Sequence, residues 1–489
     1  MSDSNRTRIA GVRETTIGTT PNTPRLRGIT FVGESLSSRP DTVKSDTVRA
    51  DRMNEDALDV GETNAGGLTF ELQYPVDKSM IAEIFASALQ ADWVSSPSRD
   101  NDGVADSVIS DVAATGGVIT VTNATAFVVG HLVRNTGFGV SANNGLFRCT
   151  TGSATAPAFA SQSLANEAAP SAAARMKVVG FEGASGDITA TADGLGSTTL
   201  NFTTLGLQVG QWIKIGGSGA GYRLATEACN GWARVSAIGA QALTLDNKPA
   251  GWTTDDGSGK TLRVFFGDQL KNGTTQIGLT FERGFLSQQT PTYIVQRGME
   301  VNSLRLPIQA KQTVKLQVEF MGMSSSQGTS TLDASIDPAP ATVDYPIMAG
   351  SANVNNISEA GAAISGGNYA RELQFEIANN LRDRPVADSK YTSGHGVGSS
   401  DVKVTLTTYF ASNALLQKLF NRTPTSVSSR LTKGGRAVIT EVPRAIYMTG
   451  SPNAGGRNQD VMLPLELEAS IDPLTQAQFI VNRLEYYEP

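Results

Sequence analysis

The feature that most constrains the fold is an arrangement that occurs once in each half of the chain. In each copy an alternating, strand-like run leads into a short amphipathic helix, YPVDKSMIAEIF at residues 74–85 and TYFASNALLQKLFN at residues 408–421. The apolar residues of each helix recur at i, i+1, i+4 and i+5, which predicts one stripe that faces a sheet. The repetition predicts two copies of one β-rich unit.

An alignment of the two helices pairs residues of similar type. The aligned pairs are Tyr74 with Tyr409, Met80 with Leu415, Ile81 with Leu416, Ile84 with Leu419, and Phe85 with Phe420. Asp77 aligns with Ser412, and both residue types favour the N-cap of a helix, so each helix is predicted to start there.

Other elements recur in the same order. QTVKLQVEFMG and QDVMLPLELEA alternate in polarity, which predicts strands whose buried sides carry Val314, Leu316, Val318 and Phe320, and Val461, Leu463, Leu465 and Leu467. A long charged loop precedes each helix, at residues 47–67 and 380–400. The alternative is that two unrelated strand–helix corners look alike, but several matches in one order favour duplication.

A second, smaller repeat lies between the halves. VVGHLVRNTG…NNGLFRCT resembles QVGQWIKIGG…CNGWARVS, with Gly130 matching Gly210, Asn144-Gly145 matching Asn230-Gly231, and Arg148 matching Arg234. Asn-Gly pairs favour turns between strands. We therefore predict two small β-barrel or β-sandwich modules, at 94–181 and 182–272, inserted into the first unit.

The predicted fold is mainly β, with tandemly duplicated β-barrel or sandwich units that each carry one short flanking helix. Residues 1–93 and 273–323 form the first, discontinuous unit, and residues 347–489 form the second. Residues 324–346 are rich in Ser, Thr and Pro and are predicted to be a surface linker.

Charge and apolar patterning narrow the function. The net charge of −6 and pI of about 5.2 argue against a protein that grips nucleic acid by its phosphates. The segment MSDSNRTRIAG lacks the apolar run of a signal peptide, and no uncharged apolar stretch is long enough to span a membrane, so we expect a soluble protein. Cys149 and Cys229 are expected to be buried and reduced.

No catalytic, metal or cofactor site is predicted, and we expect the protein not to be an enzyme. Only two histidines are present, His131 and His395, and neither has a partner pattern. DDGSGKT at 255–261 lacks the first glycine of a phosphate loop and precedes a strand, and GGSGAG at 216–221 lacks a βαβ setting. Glu71, Glu282 and Glu376 allow a glycosidase-like pair, although solvated faces are the commoner use of such residues.

Five stretches together resemble the tail tube protein (major tail protein) of long, non-contractile-tailed bacteriophages, the siphophages. They are GITFVGESLSSRPDTVKSDTVRADR, GGLTFELQYPVDKSMIAEIF, IGLTFERGFLSQQTPTYIVQRGMEVNSLRL, LTTYFASNALLQKLF and GSPNAGGRNQDVMLPLELEASIDP. They cover most of residues 25–93 and 274–475. The inserted residues 94–272 depart from the simple family pattern.

The resemblance implies a virion protein of the tail tube, assembled in the host cytoplasm, whose stacked rings form a hollow conduit for DNA delivery into the host. It implies contacts with other copies and with the tape measure, tail terminator and distal tail proteins, while DNA passes without specific binding. No membrane contact is expected. The inserted modules are expected to decorate the outer surface, because an insertion in the lumen would block DNA.

Two expectations follow from the charged loops and the duplication. The loop residues Arg49, Asp51, Arg52, Glu55 and Asp56, with Arg382, Asp383 and Arg384 in the second half, are candidates for contacts between rings; a solvated loop is the alternative. A ring of six such units, as the resemblance implies, needs six chains with one unit each but only three chains with two units each. We therefore predict trimeric rings with pseudo-sixfold symmetry, with a hexameric ring as the alternative.

A function of another class is a soluble, β-rich surface adhesin or carbohydrate-binding protein. Trp212, Trp232 and Trp252 in the inserted stretch are able to stack on sugars, although aromatic residues in a core are more common. The missing signal segment argues against this class.

Overall fold

The computed structural model describes residues 3–103, 108–122, 125–160, 164–364 and 368–488. Over these residues the chain is mainly β, as predicted, with antiparallel strand ladders in open sheets and two α-helices. Short 3₁₀ turns lie at Ser4–Arg6, Thr115–Gly117, Ser141–Asn143, Phe202–Thr204 and Glu227–Cys229.

The N-terminal stretch contains β1 (Thr7–Arg13), β2 (Arg27–Ile29), β3 (Gly33–Glu34), β4 (Ser37–Val43), β5 (Leu58–Glu71) and α1 (Met80–Leu89). The inserted stretch contains β6 (Ser98–Asp100), β7 (Ile109–Ala113), β8 (Val118–Val121), β9 (His131–Thr136), β10 (Gly145–Thr151), β11 (Ala158–Ala160), β12 (Glu167–Ala168), β13 (Arg175–Glu182), β14 (Thr189–Ala190), β15 (Gly194–Gly196), β16 (Trp212–Ile215), β17 (Gly231–Ile238), β18 (Ala242–Asp246) and β19 (Arg263–Phe265).

The chain then returns through β20 (Asp268–Lys271), β21 (Leu279–Phe285), β22 (Thr292–Gln309), β23 (Lys315–Gly322) and β24 (Ser324–Gly328). The C-terminal stretch contains β25 (Val354–Glu359), β26 (Ala362–Ala363), β27 (Ala370–Ala378), β28 (Arg382–Asp383), β29 (His395–Gly396), β30 (Asp401–Tyr409), α2 (Ala414–Phe420), β31 (Thr425–Lys433), β32 (Arg436–Gly450), β33 (Met462–Ala469) and β34 (Ile480–Glu485).

One strand order occurs twice in the larger sheet. The order β21–β22–β23–β5 in the first half recurs as β31–β32–β33–β30 in the second. The registers agree as well: β22 has a bulge at Asn302 where it pairs with β23, and β32 has one at Met448 where it pairs with β33. Because a bulge fixes local register, the two halves share one pairing scheme.

The two schemes join through β22, whose C-terminal half pairs with β27. The strands β5–β23–β22–β27–β30–β33 therefore run as one continuous set. The predicted alternation is confirmed, because the side facing the core carries buried apolar residues such as Leu316, Phe320, Leu463 and Leu467. Val461 is the exception, since it precedes β33 and is exposed.

The predicted helix starts are wrong. The N-cap of α1 is Ser79, whose hydroxyl accepts from the Ala82 amide, and the residue before α2 is Asn413. The predicted match of Tyr409 with Tyr74 does not agree with the strand pairing. In the ladders, Tyr409 of β30 corresponds to Glu71 of β5, because the connection from the strand to the helix differs in length between the halves. In the alignment of the two helices, α2 starts one residue earlier than α1, because Ala414 aligns with Ser79.

The inserted strands form one 14-stranded sheet rather than two separate ones. Its centre is the pair β13–β19, and on either side β9–β10 and β16–β17 occupy matching places. Arg148 lies opposite Leu132, and Arg234 lies opposite Trp212, so the repeat has the register read from the sequence. The buried residues of both repeats form one core.

The Asn-Gly pairs stabilise loops rather than two-residue hairpins. The Asn144 side chain accepts from the amide six residues before it and donates to the carbonyls six and four residues before it. Asn230 makes the same three bonds. Gly145 and Gly231 follow with φ of +149° and +134°, which a side chain rarely adopts.

Residues 324–346, the predicted surface linker, include a strand and make contacts along their length. The first five residues form β24, which pairs with β22. Farther along, Arg25 and Asp337 form an ion pair at 2.7 Å, and the Gly28 amide donates to the Asp337 carbonyl at 2.8 Å. The segment is therefore attached to the first half. Cys149 and Cys229 are buried free thiols, as expected.

Candidate assembly surface

The polar side of the six continuous strands forms one surface of the chain. Every second residue on these strands faces away from the core; Gly67 and Glu300 are buried, and the other such residues are half-buried or exposed. The charged ones are Glu71, Glu319, Glu372, Glu376, Asp401, Glu466 and Glu468, against Arg305, Lys315 and Lys403. With seven acidic and three basic residues, this polar face is negatively charged.

Cross-strand contacts order this face. Arg305 on β22 pairs with Glu376 on β27 at 2.8 Å, and Gln309 donates to Glu372 at 2.6 Å. Lys403 lies between Glu376 and Glu468 in the ladder. Such cross-strand pairs stabilise sheets modestly, and here they hold the acidic side chains in a fixed array.

The continuous set of strands ends in two unpaired edges. One edge is β3–β4, which pairs only with β5, and the other is the segment Thr449–Gly455, which pairs only with β33. The residues around both edges are mostly exposed. Each edge contains a proline, Pro40 and Pro452, which is typical of edge strands that must not aggregate.

The first group of predicted contact residues lies in the loop between β4 and β5. This arm, residues 44–57, is almost entirely exposed, and Val48 and Met53 are 97% and 67% exposed. Arg49 pairs with Asp51 at 2.6 Å and with Glu55 at 3.0 Å. The hydrogen bond from Arg49 lowers the pKa of Asp51.

Arg52 and Asp56 belong to the same arm and are also exposed. Arg52 has a φ of +58°, an uncommon value for a residue with a side chain. The arm is thus a charged loop with exposed apolar side chains among its ion-paired residues.

The second predicted group lies in the loop between β27 and β30. Arg382 and Asp383 form β28, which pairs with β29, and Arg384 follows. This loop packs against the base of the first arm, where the Glu62 amide donates to the Lys390 carbonyl at 3.0 Å. The two groups therefore differ in setting. The first group lies in an exposed arm, whereas the loop of the second group packs against another part of the chain.

A buried ionic cluster, which sequence reasoning missed, joins the inserted sheet to both halves. Asp77 contacts Arg175 at 2.6 Å, Lys177 at 2.8 Å, and Arg483. Asp268 contacts Lys177 at 2.7 Å and Arg483 at 2.8 Å. Burial alone raises the pKa of Asp77, but Lys177, Arg483 and Arg175 together hold it well below its usual value.

The inserted sheet also packs on β32 and β34 of the second half. Trp212 donates to Glu441 at 2.7 Å, and Arg234 pairs with the same carboxylate. Burial raises the pKa of Glu441, although Arg234 and Trp212 oppose this. Trp232 packs edge-on against Tyr486. Trp212 and Trp232 therefore contribute to an internal interface rather than to a sugar-stacking platform.

The other residues considered as catalytic or binding candidates make contacts within the fold. His131 accepts from the Val128 amide and contacts the Leu205 carbonyl, while His395 contacts Glu300 at 2.6 Å. Glu282 is buried against Arg8 and Thr331. The loop at 255–261 leads into β19, a strand.

Within the described ranges there is no cluster of three or more His, Cys, Asp or Glu residues suited to a metal ion. In the same ranges, no helix has the length and apolar character needed to cross a bilayer.

Comparison with known proteins supplies the last observation. No curated protein matches the chain. The model of a protein family described as phage tail tube protein matches residues 4–469, which is nearly the whole chain, including the inserted stretch. The chain therefore belongs to the phage tail tube protein family and is a structural component of the virion.

Proposed function

We propose that this protein forms rings of three chains with pseudo-sixfold symmetry, which stack into the hollow tube that conducts DNA into the host. The observation that carries the proposal is the repeated strand order, which gives each chain two equivalent parts of a ring. In this arrangement the negatively charged polar face lines the lumen.

Strand spacing favours three chains over two or six. The continuous set, extended by β3–β4 at one edge and β32 at the other, contains eight strands side by side. At about 4.8 Å per strand, three chains give a barrel about 37 Å across before strand tilt is added. Side-chain layers of about 5 Å on each wall leave room for one DNA duplex, whereas two chains would leave about 14 Å and six about 63 Å.

The charge of the polar face fits a passage rather than a binding site. Carboxylates repel phosphates, so a lumen with a negative excess keeps DNA from adhering while it moves. The fixed array around Glu376 and Lys403 presents alternating signs to the passing duplex instead of a basic groove.

The other surfaces complete the proposal. The arm, with Arg49, Asp51, Arg52, Glu55 and Asp56, contacts the next ring in the stack, with Arg382, Asp383 and Arg384 as the second-half counterparts. The inserted sheet lies on the outside as decoration. The tube ends meet the tape measure, tail terminator and distal tail proteins, and assembly takes place in the host cytoplasm.

Electron microscopy of the purified protein tests the proposal. We expect rings or tubes whose class averages show three outward projections, and a ring mass, measured by native mass spectrometry, of three chains of 51.4 kDa each. Rings of six chains would contradict the trimer, and monodisperse monomers at high concentration would contradict the assembly itself.

A charge change tests the lumen separately. Glu372→Lys together with Glu376→Lys reverses two acidic positions of the polar face. We expect these tubes to assemble but to retain DNA fragments in a salt-dependent filter-binding assay. Asp193→Lys together with Glu227→Lys, two exposed positions of the inserted stretch, is the matched control for total charge, and equal DNA retention by both variants would show that the polar face does not line the lumen.

A further inference from the structure

The chain contains one completed junction between its two halves. Residues 303–309 of β22 pair antiparallel with residues 372–378 of β27, with Leu306 opposite Phe375. The residue after β27, Asn379, reaches on and donates to the carbonyls of Ala88 at 3.0 Å and Val301 at 2.9 Å. This junction shows how one unit of the pairing scheme attaches to the next.

The same scheme locates the corresponding edges at the two ends of the sheet. The shared bulge matches residue 303 of β22 to residue 449 of β32, so 303–309 correspond to 449–455. On the other side, the ladders of β23 with β5 and of β33 with β30 match Gly66 to Val404. Residues 372–378, which pair with β30, then correspond to residues 33–39, which pair with β5.

We propose that these two edges pair with each other between neighbouring chains of one ring, in the register of the internal junction. The predicted partners are Arg39 with Thr449, Ser38 with Gly450, Ser37 with Ser451, Leu36 with Pro452, Ser35 with Asn453, Glu34 with Ala454, and Gly33 with Gly455. The occupant of each edge is a second copy of this chain. The inference rests on the proposed function and names the contact that closes the ring.

Backbone direction agrees with this pairing. The Ser35 amide donates inward to the Gly67 carbonyl, so by alternation the amides of Leu36 and Ser38 point to the free edge. On the other edge the Asn453 amide donates inward to the Met462 carbonyl. By alternation, the backbone amide and carbonyl of Gly450 and the carbonyl of Pro452 point to the free edge. Gly450 and Ser38 therefore face each other as a hydrogen-bonded pair.

The exposed face of α2 gives an independent reason. In the internal junction, Asn379 and the loop after it lie beside α1 and β22, and His395 of that loop contacts Glu300. By the same correspondence, the neighbour's Pro40 and the arm after it lie beside α2. That is where Phe420 and Met448 are exposed, at 77% and 49%.

The junction between chains is chemically weaker than the internal one. The internal junction carries the Arg305–Glu376 ion pair and buried apolar residues such as Leu306 and Phe375. The corresponding residues between chains are Ser451, Ser37, Pro452 and Leu36, and Pro452 lacks an amide donor. Such an edge does not aggregate alone and gains stability only when the ring closes and every edge is paired.

Cysteine cross-linking tests the register. Ser37 and Ser451 face each other as a non-hydrogen-bonded pair, whose close Cα spacing suits a disulfide. The native Cys149 and Cys229 are buried, so they do not compete. We expect the variant Ser37→Cys, Ser451→Cys to give covalent dimers and trimers under mild oxidation, as seen on a denaturing gel without reductant.

The matched control is Ser37→Cys with Asn453→Cys, which shifts the register by two residues. We expect several-fold less cross-linked product from it, and none from either single variant of the in-register pair. Equal cross-linking in both registers, or none in assembled rings, would overturn the pairing while leaving the ring intact. Absence of rings in electron micrographs of the unsubstituted chain would overturn the proposed function, and the pairing with it.

A second variant addresses backbone pairing directly. Ser38→Pro removes an amide that points to the free edge, so we expect the monomer to fold with unchanged circular dichroism while rings are lost. Rings that form normally from this variant would contradict the predicted Ser38–Gly450 pair.

Discussion

The two flanking helices occupy corresponding places in the two halves, yet one is buried and the other is not. Phe85 of α1 is fully buried, whereas Phe420, at the corresponding position of α2, is 77% exposed. α1 lies under β1, β2 and β20, and the methyl group of Met80 packs close to Gly11. α2 packs mainly on β32. The strand scheme thus fixes where a helix lies, while additional elements decide whether its outer face is covered.

The largest expected difference between the halves is in the stability lost on substituting Asp77 or Ser412, the aligned residues a few positions before each helix. Asp77→Ala leaves Arg175, Lys177 and Arg483 without a central carboxylate, and breaking a buried ionic network costs about 3–5 kcal/mol. The corresponding Ser412 accepts one hydrogen bond from Asn368 at 2.7 Å, so Ser412→Ala should cost about 1 kcal/mol. Denaturant unfolding of the two variants measures each loss in the free energy of unfolding. Equal losses would show that the ionic cluster does not distinguish the two halves.

The helix faces give the next effect. We expect Phe85→Ala to lower the free energy of unfolding by about 3–5 kcal/mol, because it leaves a cavity in a packed core. Phe420→Ala should change it by less than about 0.5 kcal/mol, as at an exposed site. The same variant should reduce ring formation in sedimentation velocity, and normal assembly would show that α2 is simply solvent-exposed.

A third test uses the two repeats of the inserted sheet. His131 accepts from the amide three residues before it, and Gln211, at the corresponding position, does the same. Burial lowers the pKa of His131 from 6.5 to about 4, so the unfolded state binds the proton more readily between these values. Stability contributed by the neutral ring is complete above pH 6.5 and falls as the pH drops toward 4, by about 2 kcal/mol between pH 7 and 5.

The variant His131→Gln gives the first repeat the residue type that the second repeat has at the corresponding position, Gln211. We expect stability close to that of the unsubstituted chain at pH 7 and a smaller loss at pH 5, both measured by urea unfolding. An unchanged pH profile would show that other groups dominate in this window.

The smallest effect concerns the internal junction. Arg305→Ser gives this junction the residue found at the corresponding free edge, Ser451. Because the ion pair with Glu376 is largely solvated, we expect a loss of less than about 1 kcal/mol in thermal unfolding, with rings still formed. A loss of several kcal/mol would show that the ion pair, rather than strand pairing, holds the halves together.

Local periodicity was sufficient to predict much of the framework. Alternation identified the buried sides of β23 and β33, and the matched glycine and arginine positions gave the register of the inserted repeat. Such patterns report only which side of a strand is buried. The N-caps were wrong because Asp77 is a favourable cap residue by type, but its carboxylate is bound by residues that are distant in sequence.

The packing of the inserted sheet on the second half could not be predicted from local sequence patterns, because the residues in contact are distant in sequence. Trp212 and Glu441 are far apart in sequence, and no periodicity connects them. The candidate arm was predicted as part of a charged loop at 47–67, but β5 already begins at Leu58, so only its first half is a loop. The sequence also did not reveal that Arg49 pairs with Asp51 and Glu55. The polar face needed the strand order before its residues formed one surface.

The position of β34 has a consequence for synthesis. This strand, made long after the inserted sheet, lies between β20 and β32, and its Arg483 neutralises Asp77 and Asp268. A prematurely terminated chain lacks that arginine and keeps two buried carboxylates short of a counter-ion and two strand edges open. The chain therefore completes its own fold only when translation has nearly finished.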